Sequence, residues 1–188
     1  MHLNTLGKIN IMSSKNSTSS YGWVAKTFHW GMFFIILGQY WLGGNFKNEA
    51  FQGMGLAGYH FSVGLLILFM ILLRFSWRAQ NPVPEMPDGT SNLQAFAAHG
   101  LHMLFYLLLF ALPAVGVAIV QAKGGTVSFF GLFSVPRFIE KAESTAELVV
   151  SMHGIFAKVT LFCILLHIII ALYHHFGKKD NVLRRMLP

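Results

Sequence analysis

The chain reads as an all-α integral membrane protein, a four-helix bundle whose helices all cross the bilayer. Three observations predict this. Of the 188 residues 54% are hydrophobic and only 11% charged, with mean hydropathy +0.55, whereas soluble domains carry roughly 25% charged residues. Apolar stretches long enough to cross a hydrocarbon layer of about 30 Å, some 20 residues each, recur four times. The cations lie between these stretches rather than in one patch, so a formal charge of +7 reports membrane topology and excludes a nucleic-acid partner.

The elements follow in order. Residues 1–20 are polar and lack the apolar core of a secretory signal, so they read as a disordered N-terminal tail ahead of one domain over 21–188. The first span runs about Thr27 to Phe46 without Asp, Glu, Lys or Arg. A glycine-bearing turn leads to the second, about Ala50 to Leu73, which stays uncharged until Arg74. Residues 81–92, NPVPEMPDGTSN, form a linker whose prolines stop the second and third spans from fusing. The third span lies within Gly89 to Ala122. The longest loop, 123–147, contains GGTVSFFGLFSVPRF, apolar enough to lie against a membrane surface. The fourth span, Leu148 to Phe176, holds the lone cysteine, Cys163. A single cysteine forms no intrachain disulfide and excludes a Cys-x-x-Cys-His attachment site.

Orientation follows from the Lys and Arg count. The side of the termini carries nine of the 14, including Arg74, Arg78, Lys178 and Lys179; the opposite side carries Lys47, Lys123, Arg137 and Lys141. Lys158 sits inside the fourth span. Nine against four places both termini in the cytoplasm.

Within these apolar stretches stand histidines, and an ionisable group at membrane depth points to function. His153 and His167 are 14 residues apart. At about 100° and 1.5 Å per residue, both project from nearly the same face, separated by roughly 21 Å along the axis. Alternation of the spans puts His29 and His167 near the terminal side, and His60 and His153 near the other. Each pair joins different helices at one depth, the disposition two imidazoles need to ligate a haem iron from opposite faces. A single membrane histidine commonly does no more than hydrogen-bond between helices; two level pairs argue for two stacked metal centres. Gly31, Gly64, Gly100, Gly154 and Ala157 leave room for a flat macrocycle, although small residues also serve close helix packing.

Phe28-His29-Trp30, His60-x3-Gly64 with Arg74 following, His99-x2-His102 leading to Ala111-Leu112-Pro113, His153, His167, His174-His175 and Lys179-Asp180-Asn181-x-Leu183-x-Arg185-Met186 together resemble the bacterial cytochrome b561 family from Tyr21 onward. The resemblance implies a four-helix membrane cytochrome with two non-covalent haem b groups, ligated by His29, His60, His153 and His167. It further implies an oxidoreductase that oxidises superoxide and reduces ubiquinone. In that setting Arg74 is a candidate partner for a haem propionate, with membrane anchoring the alternative. His99 and His102 hold a propionate, line a quinone pocket or simply solvate a helix start. Lys158 and Arg137 are candidates to steer the superoxide anion towards the non-terminal side, and His174 and His175 to hydrogen-bond or meet a propionate at the interface rather than to ligate. Two other readings stay open: an electron carrier between quinone and a partner protein, and a histidine-based metal transporter or scaffold.

Overall fold

A computed structural model describes residues 13–188. The expected tail therefore lies outside the described residues over 1–12. Residues 13–20 are held rather than free: the Asn16 side-chain amide donates to the Pro82 carbonyl at 3.0 Å and the Glu85 amide to the Thr18 carbonyl at 2.8 Å.

Four long helices dominate: α1 (Trp23–Asn45), α2 (Leu56–Ala79), α3 (Asn92–Ala122) and α4 (Glu143–Leu172). Three stretches, Leu56–Ala79, Asn92–Ala122 and Glu143–Lys178, are long and apolar enough to cross a membrane. The first helix does not reach that level. It carries His29, Gln39, Tyr40, Asn45 and three tryptophans, which lower its hydropathy without adding charge beyond Lys26.

Local chemistry explains the boundaries. Ser91 opens α3 with a reciprocal capping box, its hydroxyl accepting from the Gln94 amide while Gln94 accepts from the Ser91 amide. Gly55, at φ +66°, starts α2 in the left-handed region that favours glycine. Pro113 sits inside α3, where it withdraws one amide from the helical ladder. Beyond α4 the chain widens into one π-helical stretch, Tyr173–Lys178, and turns at Lys179 with φ +56°. The all-α expectation misses one feature: a short antiparallel hairpin, β1 (Ser128–Phe129) and β2 (Phe133–Ser134), between α3 and α4.

Packing is uneven. α1 lies on α2, α2 on α3 and α3 on α4, but α4 makes no comparably close packing with α1 or α2. A core of Met32, Ile36, Ile67, Ile71 and Leu109 fills the middle of the bundle. Large apolar side chains such as Phe34, Phe69, Leu107 and Phe162 point outward, more than half exposed, as lipid-facing surfaces do. The N-terminal segment, the 80–91 linker and the C-terminus gather at one end, here end A. There the Trp30 indole donates to the Met186 carbonyl at 2.8 Å and Arg185 to the Glu85 carbonyl at 2.6 Å. The α1–α2 turn and the hairpin mark the opposite end, end B.

Candidate functional site

Three helices carry the same 14-residue seam. In α4 it runs His153, Ala157, Thr160, Ile164, His167; in α2, His60, Gly64, Ile67, Ile71, Arg74; in α1, His29, Met32, Ile36, Tyr40, Gly43. Steps of three and four residues keep such a row on one helical face. Because α1 and α2 are antiparallel neighbours, the ends of their seams meet. At end A the Arg74 guanidinium reaches His29 Nδ1 at 3.3 Å. At end B a methyl group on Gly43 would lie 3.0 Å from Cε1 of His60.

The seam of α4 closes both sites. The His29 and His167 rings have centroids 6.1 Å apart at 60°, and the His60 and His153 rings 6.3 Å apart at 74°. Both pairs bridge the helix pairs that do not pack closely, α1 with α4 and α2 with α4. An imidazole nitrogen stands about 2 Å from a first-row metal ion, and a ring centre lies roughly 1 Å further back. Two rings on opposite faces of one iron therefore have centres about 6 Å apart. The pairs fit that requirement. Among the described residues no group of three or more His, Cys, Asp or Glu is disposed to hold a metal ion. Donors in twos suit a metal whose remaining positions are filled by a macrocycle, and a site built from protein ligands alone needs more.

The two pairs sit in different surroundings. At end B the ring edges lie against glycines: Gly43 faces His60, and a methyl on Gly116 would stand 3.6 Å from His153 Cε1. The Nδ1 atoms of both His60 and His153 are buried and without a protein partner. The Gln39 amide donates to the His60 carbonyl at 3.0 Å, anchoring the backbone rather than the ring. At end A the pair has polar company. His102 stands 6.0 Å from His167, centroid to centroid, with its Nδ1–H donating to the Ala98 carbonyl at 2.7 Å; neutral His102 thus presents Nε2 as an acceptor. Arg74 can only donate, so His29 Nδ1 accepts from it. Between the ends, the Tyr40 hydroxyl donates to the Ala157 carbonyl at 2.7 Å and ties α1 to α4 across their gap. Tyr40 and Gly43 are site residues that sequence reasoning missed; their signal was a position 11 and 14 residues beyond His29 on its own face.

Two expected site residues are not brought to the rings. Lys158 lies five residues from His153, about 140° around the helix, and stands exposed on the outer face. Arg137 is exposed and donates to the Gly124 carbonyl at 2.7 Å, clasping the two ends of its own loop. His99 is exposed. His174 meets Asp180, with Nδ1 2.5 Å from Oδ2, and His175 Nδ1 is buried without a partner.

Comparison with known proteins bears on this arrangement. The profile of the prokaryotic cytochrome b561 family matches residues 20–188. Cytochrome b561 homolog 2 of Escherichia coli is 32% identical over 179 residues, covering 94% of this chain and 95% of that protein. A probable superoxide oxidase, CybB, of Yersinia pestis is 35% identical over 129 residues, 69% of this chain and 73% of its own length. Cytochrome b562 of Cereibacter sphaeroides is 28% identical over 168 residues, 86% and 90% respectively. Matched over nearly its whole described length, the chain belongs to the prokaryotic cytochrome b561 family and is a membrane b-type cytochrome of electron transfer.

Proposed function

We propose that this chain binds two haem b groups, one at each imidazole pair, and moves electrons from superoxide at end B to ubiquinone at end A. The observation that carries the reading is the repeated geometry: two imidazole pairs, each across a gap that α4 leaves against α1 or α2. His60 and His153 would hold the end B haem, His29 and His167 the end A haem. When bound, each haem supplies a one-electron iron couple.

The chain's own residues do the rest. Histidine ligation through Nε2 leaves the proton on Nδ1, where Arg74 cannot accept it. Arg74 would then turn to a carboxylate, and a haem propionate is the matching acceptor for its planar fork. His102, with a free Nε2 beside His167, is placed to accept a proton or bond a polar edge at end A. Overall, two superoxide anions each lose one electron and leave as dioxygen, while ubiquinone gains two electrons and two protons to become ubiquinol. Arg137 and Lys158, remote from the rings, would act on the anion only through the field they set up at end B, an effect salt screens.

The superoxide step is supported by the printed name of the Yersinia pestis relative. The nine-to-four distribution of basic residues supports cytoplasmic termini with end B in the periplasm, and the prokaryotic membrane family supports a bacterial inner membrane crossed by all four helices. A second reading is an electron carrier between quinone and a partner protein; it is favoured by relatives whose names specify no substrate. The metal-transporter reading loses ground to the pairing of donors. The test is purified protein with a superoxide source and ubiquinone, followed at the haem. Rapid haem reduction and ubiquinol formation are expected. An oxidised haem spectrum that superoxide leaves unchanged rejects the superoxide step and leaves the carrier.

A further inference from the structure

The hairpin at end B combines a fixed inner side with an apolar outer side. Ser62 of α2, 3% exposed, donates its hydroxyl to the Ser128 carbonyl at 3.0 Å and accepts from the Phe130 amide at 2.9 Å. Gln121 of α3, 1% exposed, donates to the Pro136 carbonyl and accepts from the Phe138 and Ile139 amides. Val127 is buried beneath. Both arms are therefore pinned by satisfied, buried polar groups, and the loop is a built element.

The outer side is unlike a loop facing water. Leu132 is 79% exposed, Phe138 76%, Phe133 58% and Phe130 47%. Phe130 has φ +47°, in the left-handed region, uncommon for a bulky residue. Such a conformation persists only where surrounding contacts enforce it, and here Ser62 holds the Phe130 amide. The pinning also sets the depth. Ser62 is six residues into an apolar membrane-spanning helix, about 9 Å along its axis. Gln121 lies in the last turn of another. A loop anchored at those points has its tip level with the boundary between headgroups and acyl chains, next to exposed Met54 and Tyr59.

We propose that the hairpin is a membrane-interface anchor, with Phe130, Leu132, Phe133 and Phe138 seated in lipid at end B. Aromatic and large aliphatic side chains favour that boundary over water. The proposal rests on the chain being a membrane protein and is independent of its haems and substrate.

The test uses full-length protein in phosphatidylcholine–phosphatidylglycerol vesicles, with Cys163→Ala removing the native thiol. A nitroxide label is placed at Leu132→Cys and, for comparison, at Leu107→Cys and Lys141→Cys. Collisions with oxygen, which concentrates in lipid, are compared with those of a water-soluble nickel chelate. Oxygen should predominate at 132 and 107, and the chelate at 141. A label at 132 as open to the chelate as that at 141 overturns the proposal and makes the tip a surface for a soluble partner. If Cys163→Ala does not fold, Leu132→Trp in brominated lipid replaces it. Quenching beyond that of the native tryptophans supports the anchor, and its absence overturns it. The haem spectrum of each variant, recorded separately, is unaffected by either outcome.

Discussion

The two imidazole pairs share a geometry and differ in company. End B is bare: His60 and His153 rest against Gly43 and Gly116, with buried, unpartnered Nδ1 atoms. End A has polar company: Arg74 at His29 and His102 beside His167, with the apolar Phe105 ring edge-on to His167. The surroundings separate two pairs that the ligands alone do not. Identical ligand sets hold iron equally well, but a nearby guanidinium favours the reduced, less positive iron. An electron entering at end B would therefore run downhill to end A. Groups able to take a propionate or a proton are likewise found where the quinone is proposed to be reduced.

Loss of an end B ligand should have the greatest consequence. His153→Ala should abolish haem reduction by superoxide, while a quinol analogue still reduces the haem left at end A. Retention of the superoxide reaction would dissociate end B from entry. Next comes Gly43→Ala, whose methyl would lie 3.0 Å from His60 Cε1 and 3.3 Å from Nδ1. The end B site should lose a substantial share of its haem, read from the absorbance per chain. Gly44→Ala, with nothing within 4 Å of the added methyl, should leave haem content unchanged.

Arg74→Gln should alter end A alone and leave both haems in place. Removing the cation should lower the midpoint potential of one haem only, on the order of 60 mV, tenfold for a one-electron couple. Equal shifts in both haems would show that Arg74 acts on the fold and not on end A.

The smallest effect concerns the C-terminal clasp at end A. Partial burial alone would raise the Asp180 carboxyl. The bonds from His174 and the Val182 amide, with Lys178 nearby, outweigh it and hold its pKa below the ordinary 3.8. A depressed carboxylate stabilises the folded form above its ordinary pKa, and that contribution is lost as pH falls through the lowered value. Amide exchange over residues 181–187 should therefore quicken in acid below about 3.8, and Asp180→Asn should remove most of that dependence.

Much of this molecule is legible from its residues because the strongest constraints are local. Length and apolarity mark the helices, and the 14-residue interval in α4 already sets two imidazoles on one face. Other features need the fold. The hydropathy of α1 is diluted by the polar residues that serve the site, so the helix richest in site chemistry looks least like a span. Ser62 and Gln121 look like ordinary helix residues until the hairpin meets them 66 and 15 residues away. Lys158 is the reverse case. Its nearness to His153 in sequence suggested a shared site, but five helical residues carry it to the far side.

The central claim is one haem for each imidazole pair. Haem per chain, with iron measured independently, in the unmodified protein, His153→Ala, His29→Ala and the double variant tests it most directly. Two, one, one and none are expected. A single haem in the unmodified protein, or two surviving in either single variant, would contradict the assignment.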